Sequence, residues 1–106
     1  MIKELQKANA ERQKEWCTNG VIPDLSFRGN ELAGETGEAC NIIKKLERER
    51  HGWRGTRATK EMLEQEIADV VICCSLIANE VGFDLESAVK NKFNDTTTKY
   101  GLTVKL

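Results

Sequence analysis

An all-α fold, four helices around a central antiparallel helical hairpin, is predicted by three features of this 106-residue chain. No stretch of any length alternates apolar and polar residues as a half-buried strand would. Four stretches instead repeat apolar residues at helical spacing, and each is bounded by capping or turn residues. The second and third are joined by a short glycine-containing loop, which makes them antiparallel neighbours.

The first helix is expected from about Ile2 to Cys17, with Ile2, Leu5, Ala8 and Trp16 as its apolar positions. The segment TNGVIPD breaks that pattern, because Asn-Gly and the lone Pro23 are turn signals. Asp24 or Ser26 can then cap a second helix, which carries Leu32, Ala33, Ala39, Ile42, Ile43 and Leu46 and runs to about Arg50. HGWRGTRA reads as a loop. Thr59 caps the third helix, with Glu61 placed favourably in its first turn, and Gly82 ends it as a left-handed residue. Asp84 opens the fourth helix, which stops before Gly101.

Size and charge exclude several classes of function. One small domain spanning residues 1–106 is expected, and a helical chain of this size buries roughly 60–65% of its unfolded surface. Part of its core is therefore expected from a second copy, as a homodimer or homotetramer. With 16 Lys+Arg against 17 Asp+Glu, nothing electrostatic points to duplex nucleic acid. No apolar run reaches the ~18 residues of a membrane span, and the polar N-terminus does not resemble a signal peptide, so a cytoplasmic location is expected. Cys17, Cys40, Cys73 and Cys74 contain no CxxC and stand at no zinc-finger spacing from the single histidine. They read as reduced thiols used as small hydrophobes.

Two acid pairs carry the chemistry. Glu35/Glu38 and Glu66/Asp69 are each three residues apart, so each pair points to one face of its helix. The third helix is largely apolar around its pair, through Ile67, Val70, Val71, Ile72, Leu76 and Ile77. Half-buried carboxylates are costly unless they are paired, hydrogen-bonded or bound to metal, and no Lys or Arg stands beside these in the same turns. A divalent cation is the expected partner. The pairs lie about 13 residues before the loop and about 9 after it, so at about 1.5 Å per residue they fall within roughly one turn of each other.

These motifs resemble those of the MazG-like all-α nucleoside triphosphate pyrophosphohydrolases. The matching residues are Leu32-Ala33-Gly34-Glu35-Thr36-Gly37-Glu38, then Glu66-Ile67-Ala68-Asp69-Val70, then Asp84-Leu85-Glu86-Ser87-Ala88-Val89 followed by Lys92 and Tyr100. LAGETGEA is especially similar to the dCTP pyrophosphatase branch. The resemblance implies Glu35, Glu38, Glu66 and Asp69 as ligands of Mg²⁺, with Mn²⁺ possible, since hard oxygen donors suit these ions. It also implies hydrolysis of a nucleoside triphosphate to monophosphate and pyrophosphate. Glu35 and Glu38 are both candidates for the base that accepts the proton of the attacking water. The chain departs from the pattern at Gly34, where many relatives carry an acid. It also departs at Lys45 and Cys73, where the dCTP branch places aromatics, and at residues 96–98, where threonines replace Asn and Arg.

Substrate contacts are expected from four further residues. Lys92 matches the fourth-helix lysine of the family, and Lys45, with Lys44, lies about two turns after Glu38; such cations suit an outgoing pyrophosphate. Trp16 is either a core residue or an aromatic for the base. Trp53, among Arg48, Arg50, Arg54 and Arg57, belongs either to a lid over the triphosphate or to an exposed basic loop. Glu31, one turn before Glu35, reads as an outer or solvated residue, and His51 as an exposed loop residue. Two non-enzymatic readings stand beside hydrolysis: a nucleotide-sensing or partner-binding helical module, and a purely structural helical dimer.

Overall fold

A computed structural model describes residues 1–106 as four helices. They are α1 (Ile2–Trp16), α2 (Leu25–Arg50), α3 (Lys60–Val81) and α4 (Leu85–Lys99). The caps are local chemistry. Asp24, rather than Ser26, accepts from the Phe27 amide, Thr59 from Met62, and Asp84 from Glu86 and Ser87. Gly82 ends α3 at φ 91°, a left-handed backbone that a side chain would strain. The Gly82 and Phe83 amides both donate to the Ala78 carbonyl across that turn.

α2 and α3 pair as the antiparallel hairpin, and α1 lies against α3. α4 touches α1 and α3 but not α2. The α1–α3 junction is polar. Asn9 and Ser75 are fully buried and hydrogen-bonded to each other, and Ser75 Oγ donates to the Ile72 carbonyl at 2.8 Å. Arg12 donates to the remaining Asn9 oxygen at 2.9 Å. Gln6 ties the same helix to the α3–α4 turn: its amide donates to Asn79 Oδ1 and the Phe83 carbonyl, and its oxygen accepts from the Leu85 amide. The residue that α1 buries is thus Asn9, while Ala8 is exposed and Trp16 is 72% exposed. A core position for Trp16 is thereby excluded.

The apolar core is thin. It consists of Ala39, Ile42, Ala58, Cys73, Leu76 and Ala78. Of the four cysteines, all unpaired, only Cys73 is buried, and Cys40 is exposed. Val71 and Ile67 on α3, and Val89 and Phe93 on α4, stay substantially exposed. The radius of gyration is 17.2 Å, where a compact chain of this length has about 13 Å. No helix is long and apolar enough to cross a membrane.

Candidate metal centre and its adjoining cleft

Glu35, Glu38 and Glu66 each place a carboxylate oxygen so that the three atoms lie within 4.8 Å of one another. The hairpin does this: α2 supplies two acids from one face, and antiparallel α3 brings Glu66 opposite them. Asp69 falls outside this tight group, yet it lines the same cleft as Glu35. None of the four acids forms an ion pair, although Lys14, Arg28, Arg50 and Lys60 pair with acids elsewhere. They are therefore not a salt-bridged face; Glu35 and Glu66 are half-buried, Glu38 and Asp69 exposed.

Two oxygens carry the sharper message. Oε2 of Glu35 and Oε2 of Glu66 are buried and have no hydrogen-bond partner. Buried polar atoms without partners are rare and costly, and a cation held between the helices would satisfy both. Burial, then the charges of Glu38 and Asp69, pushes the Glu35 carboxyl above its ordinary range. Burial, then hydrogen bonding and charge from Glu38, does the same to Glu66. Cys73 stands nearby, but burial first and Glu31 second push its thiol up to about 12, so it is a protonated thiol and a poor ligand at neutral pH. An all-oxygen donor set remains, which fits Mg²⁺ or Mn²⁺.

The pH dependence that Glu35 and Glu66 give the metal-free chain has a definite sign. Glu35 and Glu66 hold protons more tightly folded than unfolded. Their contribution to stability is full below the unfolded value near 4.5 and is lost as pH rises through the raised folded values. In the metal-free protein the melting temperature is expected to rise as pH is lowered through the raised folded values toward 4.5, and millimolar Mg²⁺ should flatten or reverse that slope. Thermal melts with and without EDTA measure it. A metal-free melting temperature that falls over this interval contradicts the raised carboxyls.

A cleft of about 380 Å³ opens from the acids between α1, α2 and α3. Glu35 and Asp69 line it, as do Trp16, Pro23 and Phe27. Trp16 is thus a cleft residue. Trp53 is 61% exposed in the loop, stacked on His51 with ring centroids 4.5 Å apart, and takes no part in the cleft. Of the loop cations, Arg48 donates to the Thr56 carbonyl at 2.8 Å and packs against Gly55, where a Cβ would meet its guanidinium at 2.7 Å. Arg50 pairs with Glu47. Lys45 is half-buried and Lys92 exposed; neither lines the cleft or pairs with an acid. The cleft's further polar lining, Arg12, Gln13 and Arg28, was not singled out by the sequence: Arg12 and Gln13 sit on α1, and Arg28 precedes the first motif by one turn of α2.

A family model described as the MazG-like family matches residues 37–105, about two-thirds of the chain. The matched segment contains Glu38, Glu66, Asp69 and Lys92, whereas Glu35 and the aromatic side of the cleft lie ahead of it. No curated protein and no solved structure is significantly similar.

Proposed function

The chain belongs to the MazG-like family, and from that premise we propose that it is an Mg²⁺-dependent nucleoside triphosphate pyrophosphohydrolase. It takes an NTP or dNTP and water to the monophosphate and pyrophosphate. The observation that carries this reading is the unpaired acid cluster with two orphaned buried oxygens, set at the end of an open cleft.

Glu35, Glu38, Glu66 and Asp69 are the residues that hold the ion, with Mn²⁺ as a substitute. When bound there, a divalent cation neutralises triphosphate oxygens and acidifies a coordinated water. The chain's own acids do the rest. Either Glu35 or Glu38 accepts the proton of the water that attacks the α-phosphorus; a new P–O bond forms there, and the bond from the α-phosphorus to the bridging oxygen breaks. Pyrophosphate leaves with that oxygen. Burial and the charges of Glu38 and Asp69 raise the Glu35 carboxyl, which makes it a stronger base than an ordinary carboxylate. The cleft beside the acids accommodates the nucleoside, and Trp16 offers an aromatic face at its edge.

Lysines for the pyrophosphate are missing from this cleft. Lys92 lies on α4, which does not touch α2. In our reading it serves the acids of another copy, in a homodimer or homotetramer that also covers the exposed apolar faces. Trp53 in the basic loop and Lys45 on α2, the other expected substrate contacts, also stand outside this cleft.

Incubation with a nucleotide mixture and Mg²⁺ is expected to release pyrophosphate. In ¹⁸O-water the label should appear in the monophosphate. Nucleoside diphosphate and labelled orthophosphate as main products would mean attack at the γ-phosphorus and would overturn the reading. The chain has no glycine-rich phosphate loop with an adjoining Lys-Ser/Thr, which γ-directed P-loop enzymes use.

A further inference from the structure

The cleft beside the acids contains a fixed pair of polar groups that the hydrolysis does not use. Arg28 is only 4% exposed. Its Nη1 donates to Glu31 Oε1 at 3.2 Å, and its Nη2 donates to Gln13 Oε1 at 2.7 Å. Cys17 Sγ also donates to that Gln13 oxygen, at 3.8 Å. A buried guanidinium therefore sets the orientation of both partners. One oxygen of each is engaged by Arg28, and the other terminal atom of each side chain is not. For Gln13 that atom is the amide nitrogen, a donor. For Glu31 it is Oε2, which accepts from no N–H or O–H of the protein; besides Arg28, the protonated Cys73 thiol is the other donor set against this carboxyl. Both residues line the cleft, as do Glu35 and Asp69.

We propose that Glu31 is the specificity-determining residue of this chain, reading an exocyclic amino group on the substrate's base. The inference rests on the nucleotide reading above: with the phosphates at the acid cluster, the base is what remains to occupy the cleft. Glu31 is not one of the three acids whose oxygens converge, so the candidate metal group does not claim it. A carboxylate oxygen can only accept a hydrogen bond. It pairs with the amino group of cytosine, adenine or guanine. Opposite uracil, thymine or hypoxanthine it meets a carbonyl oxygen, and two acceptors are left facing each other. Sites that hydrogen-bond a substrate group discriminate strongly against the analogue lacking it, because their own polar atom is left unpaired. The Gln13 amide nitrogen complements the pattern, since it can donate to a ring nitrogen or carbonyl beside the amino group. The volume, about 380 Å³, lies within the usual range for small-ligand sites.

The test uses matched pairs that differ at this one edge, CTP against UTP and ATP against ITP. In the wild-type chain kcat/KM is expected to favour the amino member of each pair by about 10–100-fold. In Glu31→Gln the Arg28 donor keeps the amide oxygen in the Oε1 position, which turns the amide nitrogen into the cleft. An acceptor becomes a donor, so the ratio should fall to about one or invert toward UTP and ITP. Loss of a structural contact alone lowers both members of a pair together and leaves the ratio unchanged. Equal wild-type rates within each pair, or an unchanged ratio in Glu31→Gln, would overturn the assignment. Calorimetric binding of CMP, UMP, AMP and IMP separates the two levels of the argument. Selective binding of the amino monophosphates without hydrolysis of any triphosphate removes the hydrolase reading and keeps this one. Hydrolysis without base discrimination does the reverse.

Discussion

Glu38→Gln is expected to lower turnover by about 10²–10⁴-fold, the usual contribution of a positioned acid or base, while helix content is unchanged. Glu38 is exposed, so the substitution leaves the apolar core intact. Its carboxylate is nonetheless one of three that meet within 4.8 Å, and its charge raises the carboxyls of both Glu35 and Glu66. A neutral amide of the same shape relieves that repulsion, so the metal-free melting temperature should rise. Metal should then stabilise the variant less than it stabilises the wild type, since one anionic ligand is gone. Asp69→Asn is expected to lose activity similarly, also without unfolding. Circular dichroism, thermal melts with and without Mg²⁺, and pyrophosphate release measure the three parts. Wild-type turnover in Glu38→Gln would remove this residue from the mechanism.

At micromolar concentration the chain should sediment as a dimer or larger, and charge placed on its exposed apolar face should abolish both assembly and turnover. The accessible surface of the isolated chain is 7816 Å², whereas a compact monomer of this mass exposes about 6,000 Å². The excess, about 1,900 Å², is well above the roughly 800 Å² per partner of a standard interface. It matches an obligate interface, or two smaller ones as in a dimer of dimers. Val89 and Phe93 on α4, with Ile67 and Val71 on α3, are apolar residues left open that such an interface would cover. Phe93→Asp is expected to shift sedimentation toward the monomer and to cost activity, because Lys92 would no longer reach a neighbouring acid cluster. A wild-type monomer with full activity in analytical ultracentrifugation would defeat this account of the assembly.

The helices were legible for a local reason. Asp24, Thr59 and Asp84 cap with their own side chains, and Gly82 turns left-handed because it lacks a Cβ. These effects act over three or four residues, so sequence spacing contains them. The acid pairs were legible for the same reason, since residues three apart share a helix face whatever the tertiary fold. Trp16 illustrates the limit. Its spacing suited either core or cleft, and its exposure in the structure places it at the cleft.

Sequence by itself determined the four helices, their order, the hairpin and the two acidic faces, and its motifs anticipated the family that residues 37–105 establish. Only the tertiary structure decided how those faces meet: Glu35, Glu38 and Glu66 converge tightly, while Asp69 stands aside along the cleft. It alone decided that α1 is held by Asn9, Ser75 and Gln6 rather than by an apolar stripe. It also decided that buried Arg28 fixes Gln13 and Glu31 on one side of the cleft. Apart from Arg28 and Glu31, one turn apart on α2, the partners in these contacts come from different elements, up to 79 residues apart. Helical periodicity constrains which face a residue shares with its neighbours in sequence, but carries no information about which distant polar group will be brought against it. That is fixed by the angle and depth at which the helices pack.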